Sequence, residues 1–237
     1  MSRSFEQLDW LETPMGLLAL RRRLEPSLQI DVYEVTLGDE HLMSSLFTVA
    51  ETALATLGLA AVDGDDLDVV VGGLGLGYTA LAALADPRVR SLRVVEALDA
   101  VIGWHVAGHF PWATALTTDP RCQLVQGDFF AQVAEGAPFG ADAPAACHAV
   151  LLDVDHTPTH VLHPSHAPFY EAAGLDRLAG RLHPGGVFAL WSDTPAAPEF
   201  TARLELAVGP TDVHRVAFPN PHTGGEAANA VYVSTRA

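Results

Sequence analysis

The chain has 237 residues, with 13 Lys+Arg against 29 Asp+Glu and a formal charge of −16. With 49% hydrophobic and 18% charged residues, intrinsic disorder is excluded, and the length suits one packed domain with a small appendage. All 13 basic residues are arginines, scattered except for Arg21–Arg23; this excludes phosphate-backbone binding, Schiff-base chemistry and a Walker lysine, and makes a small cation the natural guest.

The opening MSRSFEQLDWLE lacks the apolar core of a signal peptide, and the most apolar window, 69–85, is broken by glycines and short for a bilayer. A cytoplasmic protein that binds neither membrane nor nucleic acid is expected. Cys122 and Cys147 are too few for a disulfide framework and read as packing residues. Residues 6–37 contain β-favouring stretches punctuated by Thr13-Pro14, Gly16 and Pro26, which predicts two or three antiparallel strands. From His41 to Leu59 apolar residues recur at helical spacing, which predicts a helix closed by Gly58. The organisation expected is a β-rich segment at 1–40 followed by one domain at 41–237.

Beyond Gly64, short apolar runs alternate with helical segments. Strands are predicted at 67–72, 92–97, 122–128, 148–155, 186–193, 213–219 and 229–235, with helices at 78–86, 98–108, 129–134 and 168–181. Continuous apolar runs separated by helices indicate parallel strands covered on both faces, and the last two runs suit an antiparallel hairpin at the sheet edge. The fold class is therefore α/β: a Rossmann-like domain with a seven-stranded, mostly parallel sheet behind a small β-rich N-terminal part.

The first of these strands ends in Gly72-Gly73-Leu74-Gly75-Leu76-Gly77 and opens a helix. Glycines there let a ligand approach the backbone, and the helix start offers unpaired N–H groups. About twenty residues on, Glu96 ends the next strand, where an acid accepts both hydroxyls of a ribose. The third strand ends in Gly127-Asp128-Phe129-Phe130, so Asp128 is placed for the adenine amino group and Phe129 for the ring border. The spacing Gly73-x-Gly75-x-Gly77 departs from the dinucleotide G-x-G-x-x-G and fits the loop of S-adenosylmethionine (SAM) enzymes, as does the terminal hairpin.

With Glu51, GGLGLG, VVEA, QGD, LLDVDHTP and Phe169-Tyr170 in this order, the chain resembles the spermidine synthase-like branch of the class I SAM-methyltransferase superfamily over roughly residues 30–193. The resemblance implies a transferase using SAM or decarboxylated SAM and a homodimer. It implies that Asp153, at the first position of the family's D-x-x-D-P, deprotonates an attacking amine; the second acidic position falls on His156, with Asp155 one residue earlier and Pro158 displaced. The family loop G-G-G-D-G-G carries an acid for the aminopropyl end, whereas Leu74, Gly75 and Leu76 offer none; of the family's Y-[HQ]-E only Glu51 remains, after Val49 and Ala50.

Asp153, Asp155 and His156 are thus the catalytic candidates, either aspartate also being able to hold a substrate ammonium. Glu51, Tyr78, Tyr170 and Asp193 are the substrate-binding candidates, the tyrosines because aromatic faces attract sulfonium and ammonium. The run His156, His160, His163, His166 matches no standard zinc spacing, so no metal is expected, and a role as base or clamp fits it better. A G-x-S-x-G elbow is absent, which removes a serine hydrolase. Three functions compete: aminopropyl transfer to a small amine, methyl transfer to a small molecule, and a silent nucleoside-binding or dimerisation module.

Overall fold

The structure, a computed structural model, describes residues 5–13, 15–220 and 224–237; Pro14 and part of the loop expected between the last two strands lie outside the described residues. Two sheets form. The first is an antiparallel meander of β1 (Phe5–Thr13), β2 (Gly16–Glu25), β3 (Ile30–Leu37) and β4 (Glu40–Ser44). The second has seven strands: β5 (Leu67–Gly72), β6 (Val89–Glu96), β7 (Cys122–Gln126), β8 (Cys147–Leu152), β9 (Leu182–Ser192), β10 (Thr211–Asn220) and β11 (Gly225–Thr235), in the order β10-β11-β9-β8-β5-β6-β7. Strands β5 to β9 run parallel to one another, and β11 and β10 are added antiparallel.

Alternation along the buried strands feeds two cores. Val69, Val71, Ala149 and Leu151 pack on one face with α1 (Val49–Ala60), α2 (Tyr78–Leu84), α3 (Asp99–Val106) and α4 (Ala113–Thr117). Val70, Val150, Leu152 and Phe188 pack on the other with α5 (Phe129–Glu135), α6 (Ala172–Ala179) and α7 (Pro198–Ala207). Period-two side chains on strands covered by helices on both sides require this arrangement.

The helix expected from His41 is corrected. Glu40–Ser44 is a strand paired with β3 through Glu34↔Ser44 and Val35↔Met43, and the helix starts only at Val49. Open β3 backbone groups outcompete the helical spacing of Leu42 and Leu46. The helix expected at 168–181 is split into a 3₁₀ segment, Pro164–Tyr170, and α6, because Pro168 has no N–H to give. The strand expected to reach 155 stops at Leu152, and α4 and α7 are additions.

Leu18, Leu20, Val35 and Leu37 of the N-terminal sheet join the core that contains α1 to α4. A polar bond fixes the same junction: Trp104 Nε1 on α3 donates to Asp9 Oδ2 on β1 at 2.7 Å. Asp9→Ala is expected to cost about 2 kcal/mol, the usual loss for a hydrogen bond to a charged group, read as an earlier midpoint in urea.

Candidate active site

Strand order reverses about β5, which has β6 on one side and β8 on the other, and the crevice beyond the carboxyl ends at such a point is where α/β sheets bind ligands. The glycine loop leaves β5 there. Gly73 has φ +93°, and a Cβ on it would lie 2.2 Å from the carbonyl oxygen of Asp153, so only glycine lets the ends of β5 and β8 approach. Gly77, φ +90°, caps α2.

Two side chains outside the loop hold its carbonyls. His105 Nε2 donates to Gly75 O at 2.8 Å, and Trp112 Nε1 donates to Leu76 O at 2.7 Å. Burial lowers the pKa of His105, which keeps the ring neutral. Glu96 completes the frame, accepting from Leu74 N at 3.0 Å and from Leu98 N at 2.9 Å through different oxygens. The backbone N–H groups of Gly75 and Ala97 also face the carboxylate, whose pKa burial raises, so the glycine loop is tied to the end of β6.

Two adjacent cavities open on this frame. The first, about 300 Å³, is lined by Gly73, Glu96, Asp128, Phe129, Phe130 and His166, and the N-terminal sheet contributes Leu18, Val35 and Leu37. The second, about 330 Å³, is lined by Glu51, Tyr78, Asp153, His156, Trp191 and Phe218. Met43, Gly75, Asp153 and Val154 line both, which places Asp153 at the junction. Among the described residues no arginine lines either cavity, and the chain has no lysine.

Asp153 and Glu51 form an acid pair at this junction. The Thr79 hydroxyl donates to Asp153 Oδ2 at 2.6 Å and lies 3.3 Å from the backbone oxygen of Glu51. Burial raises the pKa of both carboxyls; the neighbouring Asp153 charge raises Glu51 further, while Thr79 pulls Asp153 back down. Two acids that repel in a dry site share a proton over a range above the ordinary carboxylate value. Such a pair holds a cation or takes a proton from one.

The remaining expected residues separate. His156 lines the second cavity, with Nε2 2.9 Å from Glu40 Oε1 on β4 and Nδ1 3.7 Å from Asp193 Oδ2. Asp193 itself is not on the cavity lining. Asp155 and Tyr170 are turned away from both cavities: Tyr170 OH donates to Asp155 Oδ2 at 2.8 Å, and Leu162 N and His166 Nδ1 take Oδ1. The reason is that β8 ends at Leu152, so strand alternation no longer aims Asp155 with Asp153. Asp128 lines the first cavity but spends Oδ1 on Ala131 N as the cap of α5, and Phe129 presents one side of a ring otherwise packed on Phe139 and Phe169.

The histidine run serves several purposes: His156 binds Glu40, His163 caps the 3₁₀ segment through Ser165 N, and His166 binds Asp155. Among the described residues no three His, Cys, Asp or Glu side chains converge as metal ligands. Burial pushes the Cys122 and Cys147 thiols up to about 12, which leaves both unreactive. Among the described residues no helix is long and apolar enough to cross a membrane. Thr79, His105 and Trp112 are the site residues that sequence reasoning missed; a lone threonine in the Ala/Leu-rich start of α2 was the available signal for the first.

The fold is one shared with solved spermidine synthase and methyltransferase-like structures. The chain is similar to the spermidine synthase of Thermotoga maritima, with TM-score 0.73 and 13% identity over 98% of this chain and 73% of that one. A spermidine synthase in complex with the transition-state analogue AdoDATO matches at TM-score 0.74 and 14% identity, over 98% and 74%. Human methyltransferase-like protein 13 in complex with SAH matches at TM-score 0.57 and 19% identity, over 79% and 82%. No protein-family model and no curated protein matches the sequence.

Proposed function

We propose that the chain is a transferase that binds an S-adenosyl sulfonium donor in the first cavity and passes its alkyl group to a small amine in the second. The observation that carries this reading is the junction, where Asp153 lines both cavities and its acid partner Glu51 lines the second. Glu96 would take the ribose hydroxyls, Asp128 the adenine amino group, and the loop Gly73–Gly77 the sulfonium end. Tyr78 offers an aromatic face to the cation beside it.

The donor favoured is decarboxylated SAM. The tail of SAM carries a carboxylate; at the junction it would meet Glu51 and Asp153, with no arginine on either lining to neutralise it. An aminopropyl tail brings only an ammonium, which that acid pair stabilises. Methyl transfer from SAM is the second reading, favoured by Leu74 and Leu76 where an acid for the aminopropyl end is expected.

In the reaction, the acceptor nitrogen attacks the carbon bonded to sulfur with its lone pair. The C–N bond forms as the C–S bond breaks, and the electron pair returns to sulfur as a neutral thioether. Asp153 takes the proton that the amine gives up, and alignment of the two cavities supplies much of the acceleration. Incubation with decarboxylated SAM and simple amines is expected to release methylthioadenosine. Release of S-adenosylhomocysteine from SAM alone would support the second reading, and no product from either donor would contradict both.

The base has a pH signature. Its pKa is raised, so turnover is present above that value and is lost as pH falls through it, in a window above the ordinary carboxylate range. Thr79→Val removes the bond that lowers it, so the acid limb of the kcat–pH profile is expected to move to higher pH.

A further inference from the structure

The last member of the histidine run sits beside the first cavity rather than the second. His166 is 7% exposed, lines that cavity, and lies flat on Phe130 with ring centroids 3.9 Å apart and planes 18° apart. Its Nδ1 is 2.8 Å from Asp155 Oδ1, inside a cluster closed by Tyr170 OH and Leu162 N. Leu162 N and Tyr170 OH donate to Asp155, and a carboxylate offers only acceptors to the ring nitrogen beside it. The proton of a neutral imidazole must therefore sit on Nδ1, which leaves Nε2 as an acceptor, the one ring nitrogen not committed to the protein.

We propose that His166 reads the purine base: Nε2 accepts a hydrogen from a 6-amino group and so selects a 6-aminopurine over a 6-oxopurine. This rests on the nucleoside-binding reading above. Asp128 can accept the other hydrogen of the same amino group, but it is solvent-exposed, and water can replace a ligand there at little cost. His166 is buried, so a 6-oxo group placed against its acceptor nitrogen leaves two lone pairs facing each other with no water to relieve them. Discrimination comes from the buried partner. Asp155, which the aspartate pattern suggested as catalytic, is then a positioning residue: it fixes the tautomer and the plane of the ring that does the reading.

The test is calorimetric titration of the intact protein with methylthioadenosine, which lacks the carboxylate tail, and with its 6-oxo analogue, methylthioinosine, at about pH 8, above the ordinary histidine value. The adenine ligand is expected to bind at least about tenfold more tightly, the worth of one good hydrogen bond. His166→Phe keeps the ring stack and removes the nitrogen, and the preference is expected to fall below about threefold. Nitrogen NMR of the histidines gives a readout independent of that variant's folding. The acceptor-type Nε2 signal of His166 is expected to shift with the adenine ligand and to stay in place with the 6-oxo ligand. Equal affinities in the unmutated protein, or a ratio unchanged in His166→Phe, would overturn the assignment. Absence of binding by either thioether would instead overturn the nucleoside pocket itself.

Discussion

Asp153→Asn is expected to lower turnover by at least about 100-fold while donor affinity stays within about threefold, the pattern of a lost general base. The asparagine keeps the volume at the junction, and its amide oxygen can take the place of Asp153 Oδ2 in accepting from the Thr79 hydroxyl, so the cavities keep their shape. The same variant is expected to be more stable than the parent near neutral pH. Asp153 has a raised pKa when folded, so the stability it contributes is complete below its unfolded value and is lost as pH rises through the folded one. A neutral amide carries no such loss, and relief extends to Glu51, whose pKa its charge raises. Lost activity with gained thermal stability separates a strained functional acid from a structural one. Unchanged turnover in this variant would remove Asp153 as the base.

Gly73→Ala is expected to abolish donor binding, with a loss of about 100-fold or more in affinity. The added methyl meets the backbone oxygen of Asp153 rather than a side chain that can swing aside, and φ at +93° is a region that alanine rarely adopts. Relief requires the ends of β5 and β8 to separate, which moves the glycine loop and Asp153 together. Calorimetry on the folded variant, with circular dichroism as the check on folding, reads the effect. Gly108, also at positive φ but with open space around it, provides the comparison: Gly108→Ala is expected to lower stability modestly and leave binding intact.

The parallel sheet was readable because strands buried on both faces are continuous apolar runs bounded by turns, as in Leu67–Gly72 and Cys147–Leu152. The segment Glu40–Ser44 was not, because its apolar residues fit a helical period and what makes it a strand is the unfilled edge of β3. Helix α7 escaped for the opposite reason: only Phe200 and Leu204 are buried on it, too few to show a face. At the site, the glycine loop, Glu96 and Asp153 were legible since each ends a strand, and strand ends are set by local sequence. Direction beyond a strand end is not: Asp153 reaches the junction, while Asp155, two residues on, points into the protein toward Tyr170. The supports from His105 and Trp112 come from α3 and the start of α4, and only the packed fold brings them to the loop.

In the proposed reading the pocket holds an adenosyl sulfonium whose tail meets an anionic end. Side-by-side calorimetry with decarboxylated SAM and SAM tests it most directly, since the two ligands differ only in one carboxylate. Tighter binding of decarboxylated SAM is predicted, because the acid pair Glu51–Asp153 lines the junction and no arginine among the described residues lines the cavities. Tighter binding of SAM would contradict the donor assignment, and failure of both to bind would contradict the pocket.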